Sequence, residues 1–217
     1  MIEIYGISLN DLPSVQDALS LLESAEAWRA KHPSFMENDA VRASLGGLLL
    51  VQYAGLCGDL CYTESGRPYF AGQAADFNIT HTKTQVLCAI DKSANGSPIG
   101  LDAEDLTDAR AFDPAGMAKR WFSDAERELF LQDPTLEGFL RIWTRKEAYV
   151  KRNGKGLGGI REVDTLSRQI SDEVDFFAYT VDKTLVTLCT GKGRGAPDAI
   201  KMTCNKALID QLKKTER

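Results

Sequence analysis

The apolar residues of this 217-residue chain change period in a fixed order, and that order constrains the fold most. Val15, Ala18, Leu19 and Leu22 share one helical face within 13–31, which Pro33 terminates, and Val41, Leu45, Leu48 and Leu49 share another within 38–54. Residues 2–8 before them read as an edge strand. The pattern then shortens to strands at 77–80, 86–90 and 99–104, the last two predicted to form a hairpin through the turn at 93–97. Helical spacing returns at 123–132, where Ser123 and Glu126 form a capping-box signal, and at 134–152, closed by Asn153-Gly154. Strands follow at 174–181, 184–190 and 200–204, with a short helix at the end. Helices followed by strands, twice, predict an α+β fold of two similar halves, 1–98 and 99–217. Each half has a small, mostly antiparallel sheet packed with helices.

Composition removes several function classes. No apolar run reaches the ~18 residues of a transmembrane helix, and MIEIYGISLN has no basic leader, so a cytoplasmic protein off the membrane is expected. A net charge of -5 argues against nucleic acid as a partner. Five cysteines are an odd number, which opposes a full disulfide framework, and with only His32 and His81 available Cys57 and Cys61 read as thiols rather than zinc ligands. Charge is unevenly spread. Between 141 and 161 lie seven basic residues (Arg141, Arg145, Lys146, Lys151, Arg152, Lys155 and Arg161) against Glu147, a local +6 that leaves -11 elsewhere. Such a strip suits an anionic ligand or partner, or is a solvated helix face.

Two stretches carry chemistry. In GLDAED, Asp102 and Glu104 stand two apart on a strand and so share a face. Paired carboxylates repel unless a cation sits between them, and magnesium suits oxygen ligands of this kind; an exposed acidic strand end accounts for the same pair. In WTRKEAYVK, Trp143, Glu147 and Lys151 recur every four residues along one helical stripe. A tryptophan turns that stripe inward, where a Glu and a Lys are paired or used, whereas on a surface they form a weak ion pair. The following RNGKGLGG offers glycines and Lys155 as a phosphate cradle, or simply a helix cap and turn, and lacks the GxxxxGK[ST] of a P-loop.

Taken in order, FNITHT, GLDAED and WTRKEAYVKRNGKGL resemble the FNxSHS, GxDxE and WxxKEAxxKxxGxGL motifs of the 4'-phosphopantetheinyl transferase superfamily, in its larger surfactin-synthetase-activating type. SGRPYF resembles that family's G-[KR]-P element. The resemblance spans 42–157. It implies a pseudo-dimer of two halves about a pseudo-twofold axis, with coenzyme A in the cleft between them and monomeric action. It also implies magnesium on Asp102, Glu104 and Glu147, with Glu147 and Lys151 catalytic. Coenzyme A would be met by Arg42, Arg67, Thr80, His81, Lys151 and Lys155. Thr80 and Thr82 replace the family's serines, and Ala103 replaces a bulkier aliphatic.

The activity so implied is transfer of 4'-phosphopantetheine from coenzyme A to a serine of an apo acyl or peptidyl carrier protein, releasing adenosine 3',5'-bisphosphate. The competing readings are a non-catalytic module binding coenzyme A or a carrier, and a magnesium-dependent nucleotide pyrophosphohydrolase. Carriers being acidic near the modified serine, docking is expected at the basic strip, through Lys146, Arg152 and Arg161.

Overall fold

The computed structural model of the chain describes residues 1–93, 97–107, 113–154, 156–197 and 199–215. They divide into two compact units, residues 1–96 with 197–217, and residues 97–196. The first unit contains β1 (Ile2–Ser8), α1 (Val15–Leu21), α2 (Ala25–Lys31), α3 (Asp39–Tyr53), β2 (Leu60–Tyr62), β3 (Pro68–Phe70), β4 (Asp76–His81) and β5 (Gln85–Asp91). The second contains β6 (Gly100–Asp105), α4 (Pro114–Trp121), α5 (Asp124–Gln132), α6 (Leu136–Asn153), α7 (Arg168–Glu173), β7 (Val174–Val181) and β8 (Thr184–Gly191). The chain then returns to the first unit with β9 (Ile200–Thr203) and α8 (Asn205–Thr215). This mixture of helices and small sheets is an α+β architecture.

In the first unit the sheet order is β4-β5-β1-β9, antiparallel except that β9 lies parallel to β1. The closing strand and helix, which sequence pattern groups with the second half, therefore complete the first. Leu208 and Leu212 of α8 lie in the core with Leu45, Leu48 and Leu49 of α3. Each such leucine contributes roughly 1.5–3 kcal/mol by leaving water. α3 starts at Asn38, whose side chain accepts from the Val41 amide at 2.9 Å. Gly46 and Gly47 let Leu12 and Ile79 approach α3 closely: a Cβ there would lie 2.4 Å from either side chain.

Two expectations need correction. The helix expected over 13–31 is two helices. Leu22 is extended, and Gln52 of α3 enters the break, donating to Leu21 O and accepting from the Glu23 amide, both at 3.0 Å. A buried amide that satisfies both broken backbone groups removes the cost of ending the helix there. The hairpin expected between 86–90 and 99–104 is absent. β5 is already paired on both edges, with β4 and β1, and β6 pairs with β8. Residues 94–96 of the supposed turn lie outside the described residues.

The second unit is built on the antiparallel sheet β6-β8-β7, with α6 lying on β6 and β8. Gly100 makes this close approach possible, since a Cβ there would fall 1.9 Å from Ala148 O and 2.6 Å from Arg152 N, both backbone atoms of α6. Thr187 of β8 faces Asp102 in register, and its Oγ1 shares a 2.7 Å hydrogen bond with Thr144 Oγ1 on α6. α5 opens with the expected capping box, Ser123 with Glu126. Phe139 and Trp143 of α6 form an aromatic cluster with Phe122 and Phe130. α4 is a helix that the sequence reading did not predict. Its marks are Asp113 accepting from the Gly116 amide at 3.0 Å and Pro114 at the first helical position. Among the described residues no helix is long and apolar enough to cross a membrane.

Candidate active site

Strand alternation and the glycine contact together orient the acidic pair. Gly100 turns its open face to α6, and residues two and four further along share that face, so Asp102 and Glu104 also point toward α6. Leu101, Ala103 and Asp105 point the other way, and Asp105 is held there by Thr184 Oγ1 at 2.8 Å. Ala103, the small residue between the acids, is buried away from the site. On α6 the Trp143–Glu147–Lys151 stripe is half-buried as expected. Lys151 Nζ donates to Asp102 Oδ1 at 2.5 Å, with Asp102 almost wholly buried.

The cluster's electrostatics follow from burial. Glu104 is pushed up to about 7 by burial and then by Asp102, while Lys151 and the donating Trp143 indole pull it down. Glu147 is likewise pushed up to about 7, by burial and then by Asp102 and Glu104, with Lys151 opposing. For Lys151, burial acts to lower the ammonium's pKa, but Asp102, Glu147 and Glu104 outweigh it and the net shift is upward. Asp102, Glu104 and Glu147 thus share one field with the Lys151 ammonium. Among the described residues, no three His, Cys, Asp or Glu side chains are already gathered round a common point as a metal cage. Lys151 meets Asp102 directly and supplies countercharge in that field. The donor set, hard carboxylate oxygens two of which burial and neighbouring carboxylates hold above the usual range, fits a divalent ion such as magnesium.

The other expected site residues lie in the first unit or outside the described residues. His81 lines a cleft of about 220 Å³ with His32, Ser44, Tyr62, Gly66 and Ile79. Both histidines of the chain therefore meet at one cleft. His32 is set by a 2.9 Å contact of Nδ1 with Trp28 O and by stacking on Trp28 at 4.4 Å. Sequence reasoning missed His32, Ser44 and Tyr62, for which the one signal was the scarcity of histidine. Thr80 follows Ile79 on β4 and turns to the opposite face, where it is buried. Arg67, beside the cleft residues Gly66 and Pro68, pairs with Asp76 at 2.5 Å and donates to Phe77 O at 3.2 Å. Arg42 donates through Nη2 to Leu9 O and Leu12 O, both at 3.2 Å, and pairs with Asp39 at 3.4 Å. Lys155 lies outside the described residues.

The basic strip is not a surface stripe. Lys146 is fully buried against an equally buried Glu126, 2.6 Å away, and Arg152 is buried against Glu173 at 2.8 Å. Arg145 is half-buried over the Phe176 ring, 4.7 Å from its centroid. Arg161 is exposed, and donates to Arg120 O at 3.2 Å. The expectation that Lys146 and Arg152 steer a partner is corrected on this ground: buried, paired charges project little field into solvent.

Comparison with known proteins accords with the motifs. Residues 98–192 match the model of the 4'-phosphopantetheinyl transferase superfamily. The chain is 31% identical over 179 residues to the 4'-phosphopantetheinyl transferase HetI of Nostoc sp., an alignment covering 75% of this chain and 73% of that relative. It is 30% identical over 170 residues to the 4'-phosphopantetheinyl transferase Sfp of Bacillus subtilis, and 32% over 169 residues to the ffp transferase of that species, each alignment covering 71% of both chains. The match contains the whole Gly100–Asp105 strand and all of α6. The chain belongs to the 4'-phosphopantetheinyl transferase superfamily.

Proposed function

We propose that this enzyme transfers 4'-phosphopantetheine from coenzyme A to a serine of an apo acyl or peptidyl carrier protein, with magnesium, releasing adenosine 3',5'-bisphosphate. The observation that carries the reading is the Lys151–Asp102 contact at 2.5 Å beside Glu104 and Glu147, in a chain of this superfamily.

Asp102, Glu104 and Glu147 would hold the magnesium ion. When bound, it would neutralise charge on the pyrophosphate and on the leaving phosphate. The remaining work falls to the chain's own groups. Lys151 is held as an ammonium by the carboxylates around it, so it donates to phosphate oxygens and stabilises their growing charge. The serine proton would go to a carboxylate oxygen of Glu147 or to water in the site. Trp143, donating to Glu104, fixes that carboxylate and shields the cluster from water. Arg67, Thr80 and His81, with Arg42 at the 3'-phosphate, would hold coenzyme A by charge-assisted hydrogen bonds, and the cleft beside His81 offers aromatic and histidine surface for a planar group. Since neighbouring strand residues face opposite ways, Thr80 and His81 would reach their ligands from opposite faces of β4.

Incubation with coenzyme A, magnesium and an apo carrier protein tests this by intact mass. A mass gain on the carrier equal to the phosphopantetheine arm is expected. Cleavage of coenzyme A without that gain would make the protein a pyrophosphohydrolase. Binding with neither would make it a non-catalytic module.

A further inference from the structure

Lys146 of the second unit is a fully buried cation that the transfer chemistry does not use. Its side chain and that of Glu126 are both fully buried. Both are held by directed hydrogen bonds. Lys146 Nζ donates to Glu126 Oε2 at 2.6 Å and to Val163 O. Glu126 Oε2 also accepts from the Ser123 amide at 3.0 Å, and Oε1 accepts from Thr165 N at 2.9 Å and Thr165 Oγ1 at 2.7 Å. One ion pair thus ties α6 to the capping box of α5 and to the segment 163–165.

Its place on α6 is what matters. Residues advance by roughly 100° per step around a helix. Lys146 therefore leaves the helix about 100° to one side of Glu147. Thr144 and Ala148 leave it on the other side, where Thr144 bonds Thr187 and Ala148 abuts Gly100. The stripe of Trp143, Glu147 and Lys151 lies between these two anchors. Rotation of α6 either way would stretch one of them.

We infer that Lys146 and Glu126 are positioning residues: their buried ion pair sets the rotation of α6 that aims Glu147 and Lys151 at Asp102. The inference rests on the transfer reading above for its effect on rate, but not for its effect on geometry. Stability alone is a poor reason to keep such a pair, because replacing a buried ion pair with well-packed apolar residues is often neutral or stabilising. Hydrogen bonds of fixed length and direction fix an angle that apolar packing leaves loose.

The test is the double variant Glu126→Leu/Lys146→Met, which removes both charges together and so avoids the unfolding expected from stranding one. Three quantities are read: melting temperature, Mn2+ affinity by electron paramagnetic resonance, and kcat and KM for coenzyme A. The positioning role predicts a melting temperature equal to or above wild type, Mn2+ bound at least threefold more weakly, kcat down at least tenfold, and KM changed less than twofold. A folded double variant with wild-type Mn2+ affinity and kcat would overturn it. If the double variant melts lower, measurement at a temperature where it is fully folded decides on the same two outcomes. If wild type itself transfers nothing, the transfer reading fails and the Mn2+ comparison alone decides the positioning role.

Discussion

Each unit lays one long helix on a mainly antiparallel sheet, and the two helices are fixed in different ways. α3 buries Leu45, Leu48, Leu49, Leu50 and Val51, and its one buried polar side chain of note, Gln52, repairs a break between α1 and α2. α6 buries Thr144, Lys146 and Arg152 as well as its apolar residues, and each of these makes a directed polar contact. Apolar packing is non-directional and tolerates small shifts. A helix that must present two charged groups to a strand needs its angle set, and the polar contacts of α6 set it. The directed contacts fall on the helix to which the proposed chemistry is assigned.

The largest way to break this comparison is at the cluster itself. Asp102→Ala should abolish transfer, a loss beyond ~10³-fold, with the fold kept, because Lys151 loses its partner and the donor set loses a member. Transfer by intact mass and circular dichroism check both halves of that statement. An Asp102→Ala protein that retains a tenth of the activity would place the chemistry elsewhere.

Next in size is the glycine at each helix's close contact, Gly100 on the strand beneath α6 and Gly46 within α3. Gly100→Ala puts a methyl group 1.9 Å from the carbonyl oxygen of Ala148, a backbone atom that cannot rotate away, so α6 must lift. A loss of about 3 kcal/mol and reduced transfer are expected. Gly46→Ala meets the end of the Leu12 side chain, and alanine's better helix propensity offsets the crowding, so the change should stay within about 1 kcal/mol. Urea unfolding of the pair measures the contrast; equal losses would mean that α3 and α6 are held alike.

A smaller effect sharpens the electrostatic side. Glu104 and Glu147 titrate near 4.5 when unfolded and near 7 in the folded, metal-free protein. Between those values the folded state binds more protons than the unfolded one, so these two groups make stability fall as pH rises through that window. Melting temperatures at pH 5.5 and 7.5 should show the fall, and magnesium should reduce it at pH 7.5. A metal-free protein whose stability rises through that window, with no effect of magnesium, would deny the carboxylates their burial.

The smallest effect belongs to the first unit. Two carbonyls and Asp39 already engage much of the Arg42 guanidinium. Arg42→Ala should weaken coenzyme A by only a few-fold, and dephospho-coenzyme A less. Equal losses for the two ligands would remove Arg42 from the 3'-phosphate.

Much of this was legible in the sequence. Two-residue and four-residue spacings put Asp102 and Glu104 on one strand face and Glu147 and Lys151 on one helix stripe, because strand and helix periods are local geometry. The capping box at Ser123 was legible for the same reason. Charge did not read so well. The strip at 141–161 counted +6, yet Lys146 and Arg152 are buried against Glu126 and Glu173, acids 20 and 21 residues away in sequence. Pairings over such distances leave no periodic trace. The return of β9 to β1 was illegible likewise, since strand partners nearly 200 residues apart follow from topology rather than pattern.

The central claim is that β6 and α6 build one metal and reaction centre. Calorimetric titration of magnesium in the presence of coenzyme A tests it most directly, on wild type and on Asp102→Asn, Glu104→Gln and Glu147→Gln. The account predicts one site in wild type, with each substitution weakening it at least tenfold. Wild-type affinity in the Glu147→Gln protein would contradict it, by separating the helix from the strand's metal.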